Sequence, residues 1–242
     1  MHLERVTLCP ERYPTTKHYP FSLDIFRHTP SLTFPTPVTF FVGDNGTGKS
    51  TLLTAITRKC GIHMWKGVTR ARVRNNPYEQ ELHKAMDVQW ADGPVPGSSF
   101  SSQEFQSFAR LLDDWASDTP GMLNYFGGES LMTQSHGQSL MAYFRSRYAI
   151  KGLYFADEPE TALSPRTQIE LLHLLGQMAE AGHAQFIIAT HSPILLACPG
   201  ATIYNFDRVP IEPIAYEDTE HYRVYRDFMA APHSYVAPPR EA

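Results

Sequence analysis

Val38-Thr39-Phe40-Phe41-Val42-Gly43-Asp44-Asn45-Gly46-Thr47-Gly48-Lys49-Ser50-Thr51 joins an apolar run to a glycine-rich loop of the form GxxxxGK[ST]. Pro37 precedes the run, and residues 51–59 carry Leu52, Leu53 and Ile56 on one side, as a helix with one buried face would. A strand that ends in such a loop and opens a helix aims several backbone N–H groups at one small volume, where polyphosphate oxygens accept them. Lys49 adds a point positive charge for the β- and γ-phosphates, and the Ser50 hydroxyl is suited to ligate Mg²⁺. The stretch therefore reads as a nucleoside triphosphate site. A chance string of glycines would lack the strand before it and the helix after it.

The chain has 242 residues, 42% of them hydrophobic, enough for one full α/β domain with a core but not for two large domains. A formal net charge of −4 argues against a surface built mainly to hold nucleic acid, although it permits a local basic patch. Cys9, Cys60 and Cys198 are far apart and form no CxxC pair, so reduced thiols are expected rather than a disulfide framework or a zinc site. No stretch reaches the length of a membrane-spanning helix, and His2, Glu4 and Arg5 interrupt any signal-peptide pattern, so a cytoplasmic protein is expected.

Outward from the loop, the first forty residues read as short strands punctuated by Pro10, Pro14, Pro20, Pro30, Pro35 and Pro37, suited to an antiparallel edge sheet. Residues 61–97 are irregular, with turn signals at Asn75-Asn76-Pro77 and Gly93-Pro94. Helical spacing returns at 104–117 through Phe105, Phe108, Leu111, Leu112 and Trp115, and a second helix is expected from Ser139 with Leu140, Tyr143 and Phe144 on one face. Residues 152–156 form a buried strand. Ser164-Pro165 caps a helix striped by Leu171, Leu174, Leu175 and Met178 that ends at Gly182, and 186–189 form another buried strand. Residues 232–242 look loose.

Two strands joined by one helix make a parallel crossover, and ligands gather at the carboxyl ends of such strands. There the first strand ends in Asp157-Glu158-Pro159. Adjacent residues at a strand end point to different sides, so Asp157 would share a Mg²⁺ shell with Ser50 while Glu158 polarises the attacking water. The plainer alternative is a solvated acidic turn. The next strand ends in Thr190-His191-Ser192-Pro193, where His191 is suited to sense a γ-phosphate. Arg70, Arg72 and Arg74 alternate with Ala71 and Val73, so a strand there would line one face with guanidiniums. Such a face is usually only solvated; contact with a nucleotide or an acidic partner is the alternative.

The loop 43–50, the segment Ser135-His136-Gly137-Gln138, the Asp157-Glu158-Pro159-Glu160 strand end and Ala189-Thr190-His191-Ser192-Pro193 follow the order found in ABC-type ATPases. The chain resembles the small stand-alone ATPases of the ABC/SMC-like AAA group over nearly its whole length, including 199–204 and 216–221. That resemblance implies a P-loop NTPase fold of ABC type, with a mostly parallel central sheet flanked by helices, an N-terminal antiparallel sheet and a small helical lobe near 100–147, all in one domain spanning 1–242. It implies ATP and Mg²⁺ as cofactors, with nucleotide contacts from Gly43, Asp44, Asn45, Gly46, Thr47, Gly48, Lys49, Ser50 and Thr51. It also implies an ATP-dependent homodimer in which Ser135, Gly137 and Gln138 reach the γ-phosphate held by the other subunit. Glu158 and His191 are the expected catalytic residues, and Ser50, Asp157 and Gln103 the metal ligands, with Gln89 as the second choice for the glutamine. His136 stands where the ABC signature usually has glycine, and Ser164 where aspartate is frequent. The energising subunit of a membrane transporter and a DNA-associated SMC-like ATPase share this chemistry and are the alternative functions.

Overall fold

The computed structural model describes residues 1–64, 76–119, 121, 123–124, 128, 130, 132 and 136–236, with only the backbone of residues 103, 106, 118, 136 and 236. In chain order the elements are β1 (Leu3–Leu8), α1 (Asp24–His28), β2 (Ser31–Thr33), β3 (Val38–Val42), α2 (Lys49–Lys59), β4 (Met86–Trp90), β5 (Gly97–Ser101), α3 (Ser102–Asp118) and α4 (His136–Tyr148). They continue with β6 (Gly152–Asp157), α5 (Pro165–Glu180), β7 (Ala184–Ala189), α6 (Pro193–Leu196), β8 (Thr202–Asn205), β9 (Glu212–Pro213), α7 (Glu220–Ala230) and α8 (His233–Val236).

The main sheet has the order β5-β6-β7-β3-β8-β9, parallel except for the short antiparallel β9 at one edge. Parallel sheets need both faces covered, so their strands read as continuous apolar runs. Every residue of β3 and of β7 is buried accordingly. Successive side chains then feed opposite cores. Phe40, Tyr154, Phe186 and Ile188 face α3, α4 and α5, whereas Phe41, Phe155 and Ile187 face α2 and the second sheet. That second sheet, β2-β1-β4, is antiparallel. The α/β architecture expected from the sequence, a mostly parallel sheet with an antiparallel sheet and helices, is the one observed.

On the helical side the core is largely aromatic. Phe100 meets Phe144 edge-on at 4.9 Å, Phe144 stacks on Tyr148 at 5.2 Å, and Tyr148 meets Phe186 at 4.8 Å. Offset and edge-on ring pairs of this kind add about 0.5–1.5 kcal/mol beyond their burial. α5 follows its sequence signals: the Ser164 hydroxyl accepts from the Thr167 amide, Pro165 opens the helix, and Leu171, Leu174 and Leu175 are buried.

Several boundaries differ from the sequence expectation for identifiable reasons. α2 starts at Lys49 rather than residue 51, because the loop's last glycine serves as its N-cap. α4 starts at His136, and Ser139, expected to open it, is a buried residue inside it. The first forty residues hold two strands together with α1 and a 3₁₀ turn at Pro10–Arg12, since prolines there close turns as well as flank strands. Residues 233–236, expected to be loose, form α8. The Arg70, Arg72 and Arg74 pattern lies outside the described residues. Cys9, Cys60 and Cys198 are free thiols. Among the described residues no helix is long and apolar enough to cross a membrane.

One fully buried polar side chain ties the two sheets together. The Gln185 Oε1 atom on β7 accepts from the amides of His2 and Leu3, both at 2.8 Å, and its Nε2 donates to the Leu3 carbonyl at 2.9 Å. Removing the amide strands three backbone groups in a dry setting, where each loss is costly. Gln185→Leu, of similar volume, is expected to lower stability by about 2–4 kcal/mol, read as a drop in urea midpoint at unchanged slope.

Candidate nucleotide site

Strand β3 delivers the chain into Gly43, whose φ of +148° suits glycine alone. A Cβ there would lie 2.9 Å from Asp207 Oδ1, which accepts from the Asp44 amide at 2.7 Å. Gly48 caps α2 with φ +103°, and a Cβ on it would come within 2.8 Å of the Phe26 ring. Asp44, Asn45 and Gly46 form the exposed crest of the loop, which is braced by Thr47 Oγ1 donating to the Asp44 carbonyl at 2.9 Å. The buried Lys49 ammonium donates to the carbonyls of Gly43 at 2.6 Å and Asp44 at 2.7 Å, two of its three donors. Burial lowers its pKa, against the pull of Asp207, Glu158, Asp157 and Asp44.

Ser50 Oγ donates to Asp157 Oδ1 at 2.8 Å, joining the loop to the end of β6 across 107 residues of chain. Burial pushes the Asp157 carboxyl up to about 6, opposed by the Ser50 hydrogen bond and reinforced by Glu158. Glu158 has φ +47°, the one positive value at a non-glycine residue among those described, and its amide donates to the Ala189 carbonyl at 2.9 Å. Such backbone strain costs about 1–3 kcal/mol. Its effect is to turn the two neighbouring carboxylates apart: Asp157 meets Ser50, while Glu158 Oε1 lies 3.7 Å from His191 Nε2.

His191 follows the end of β7, where its amide donates to Glu160 Oε1 at 2.6 Å. Its Nδ1 is 2.9 Å from His221 Nε2. Desolvation, followed by Lys49 and His221, depresses the His191 pKa, and desolvation depresses that of His221. The ring near Glu158 is thus neutral at neutral pH, making this a polar contact rather than an ion pair. Burial raises the Glu160 carboxyl, whose Oε2 is buried without a hydrogen-bond partner among the described residues.

The structure brings Gly43, Gly48, Lys49, Ser50, Asp157, Glu158 and His191 together at the carboxyl ends of the central strands β3, β6 and β7. Thr51 is hydrogen-bonded to Tyr19 through their hydroxyls. Gln103 lies in the first turn of α3, two residues past Ser101, which is paired with Asp157; its side chain lies outside the described residues. Gln89, the second choice, is on β4 and donates to Glu4 Oε2 at 2.8 Å, so it belongs to the antiparallel sheet instead. Gly137 and the exposed Gln138 lie in the first turn of α4, where a Cβ on Gly137 would be 3.9 Å from Thr167 of α5; Ser135 lies outside the described residues. Sequence reading missed Glu160, Asp207 and His221. The early sign of the first was its place after Glu158-Pro159, that of His221 was its place at the end of the 216–221 stretch, and Asp207 carries no local pattern.

Two AAA-domain family models match parts of the chain: "AAA domain, putative AbiEii toxin, Type IV TA system" over residues 140–197, and "AAA domain" over residues 23–61. No curated protein matches it in sequence. Among solved structures, the Smc head bound to the C-terminal winged-helix domain of ScpA is 12% identical, with TM-score 0.52, covering 90% of this chain and 99% of that one. The ADP conformation of an ATP-binding cassette of an ABC transporter is 15% identical, with TM-score 0.52, covering 93% and 99%. A nucleotide-free ATP-binding cassette from an ABC transporter is 14% identical, with TM-score 0.51, covering 98% and 100%. At these identities the likeness is one of fold. Two parts of the chain match AAA-domain models, and its fold is like that of an Smc head and of ATP-binding cassettes.

The Asp157 shift makes stability depend on pH. Its folded value of about 6 lies above the 3.8 of a free carboxyl, so its favourable share is full below pH 3.8 and is lost as pH rises through 6. The ionised group then costs the nucleotide-free fold up to about 3 kcal/mol. Asp157→Asn, which still accepts from Ser50, is expected to melt higher than the parent at pH 7.5 and equally at pH 4. Scanning calorimetry at the two pH values checks this.

Proposed function

We propose that the chain binds Mg-ATP and hydrolyses it to ADP and phosphate, with two copies joining head to tail around the nucleotide. The observation that carries this reading is the division of labour at the strand end: Asp157 is bonded to the Ser50 hydroxyl, while Glu158 is turned away from it toward His191. A solvated acidic turn has no need of a strained backbone to separate its carboxylates.

The donor set fits a magnesium nucleotide. Mg²⁺ is held by one or two protein oxygens together with phosphates and water rather than by a dedicated cage. Among the described residues no cluster of three or more His, Cys, Asp or Glu side chains could form such a cage. Ser50 and Asp157 would hold the ion, Gln103 is the further candidate, and the metal would neutralise charge on the phosphates. Residues 43–51 would receive the phosphates through loop amides and the Lys49 ammonium. Glu158 accepts a proton from water as its oxygen bonds to the γ-phosphorus, and the bond to the β-phosphate breaks with its electron pair leaving on ADP. His191 lies beside Glu158 and is suited to hold the γ-phosphate or that water. Ser135, Gly137 and Gln138 would act from the second copy, with the α4 N-terminus turned toward the same anion.

Glu158→Gln is expected to lower ATP turnover by about a hundredfold or more while leaving affinity for Mg-ATP unchanged. The variant should run at twice the parent's mass in size-exclusion light scattering when Mg-ATP is present, and at the parent's mass without it. Turnover equal to that of the parent would remove Glu158 from the reaction.

A further inference from the structure

His221 lies in the first turn of α7, a helix none of whose residues is buried. Its position is nevertheless fixed. The Thr219 hydroxyl, itself in a fully buried residue, accepts from the Tyr222 amide at 3.3 Å and donates to the Tyr216 carbonyl at 2.7 Å. Tyr216 Oη in turn donates to the Pro193 carbonyl at 3.0 Å, in the helix that follows His191. The start of α7 is thereby tied to the segment that carries His191.

A hydrogen bond between two neutral imidazoles needs one N–H and one lone pair, which leaves two arrangements. If His191 Nδ1 carried the proton, its Nε2 lone pair would face the Glu158 carboxylate at 3.7 Å, two acceptors opposed in a site already holding Asp157. If His221 Nε2 carries it instead, His191 Nδ1 accepts and His191 Nε2 becomes an N–H directed at Glu158. His191 Nε2 and His221 Nδ1 are both buried without a hydrogen-bond partner among the described residues, and in the second arrangement the unpartnered Nε2 is an N–H open to another group. The charges around the pair are Lys49, Asp44 and Asp207, with Glu158 on the His191 side and Glu220 on the His221 side.

From this geometry we infer that His221 is a positioning residue that holds His191 as its Nε2–H tautomer, so that a neutral ring donates a hydrogen bond into the phosphate side of the site. The inference rests on the hydrolytic reading given above. An uncharged donor adds no second positive charge beside Lys49. The tautomer is set by what the other ring nitrogen bonds.

The test uses the full chain labelled with ¹⁵N-histidine, with the His191 signals assigned by their loss in His191→Gln. In the nucleotide-free parent, His191 should show a single neutral tautomer protonated at Nε2. His221→Phe keeps the ring shape and removes the donor, so His191 should become a tautomer mixture. His221→Gln supplies an amide N–H at about the same place and should restore the parent spectrum. Turnover should fall about tenfold in His221→Phe at unchanged nucleotide affinity and recover to within about threefold in His221→Gln. Thermal melts verify that both variants are folded. A parent His191 protonated at Nδ1, or one tautomer in all three proteins, overturns the inference. The spectra decide it even if the parent hydrolyses nothing, an outcome that would sink the hydrolytic reading alone.

Discussion

In the buried part of the main sheet no water reaches the backbone, so β6, β7 and β3 must bond to one another along their whole length, and that requirement fixes where each strand stops. Phe41 pairs with Ala189, Asp157 pairs with Ala189 and with Ser101 on its other side, and the loop after Val42 emerges next to both turns. Lys49, Asp157 and His191 are remote in sequence and become neighbours because three apolar runs leave their polar tails on the same side. A slip of one residue in β7 would exchange its two faces and carry the tail away from the loop.

The site is compact and strongly charged for a partly buried place. One ammonium sits among Asp44, Asp157, Glu158 and Asp207, and burial raises the carboxyls of Asp157 and Glu160 and lowers Lys49, His191 and His221. The chain counters part of this with directed contacts: Ser50 to Asp157, the Asp44 amide to Asp207, and the His191 amide to Glu160. Under the function proposed above, the same groups would receive a ligand with the opposite needs, one rich in negative oxygens and accompanied by a cation.

The parts of this arrangement that can be read from sequence are those encoded locally. The glycine loop, the fully apolar strands, the Ser164-Pro165 cap and the stripe of α5 each carry their signal within a few residues, and the approach of Asp157 to Ser50 follows from placing two apolar strands in one parallel sheet. The α7 helix carries local signals too, a Thr219 cap and Tyr225, Phe228 and Met229 at helical spacing; what the sequence does not tell is that this apolar stripe is exposed rather than buried. Glu160, Asp207, His221 and the clasp of Gln185 depend on partners from 30 to more than 180 residues away, a relation that no spacing records. The choice between Gln103 and Gln89 had the same difficulty: both precede α4, and only the sheet pairing separates them.

The backbone at Glu158 is one in which glycine would rest without strain. Selection for a robust fold alone, whether in a laboratory library or by a design algorithm scoring only the unliganded chain, would therefore drift toward glycine at this position and gain thermal tolerance in doing so. If Glu158 is the base of the proposed hydrolysis, this is a point at which the molecule's purpose and its durability pull in opposite directions.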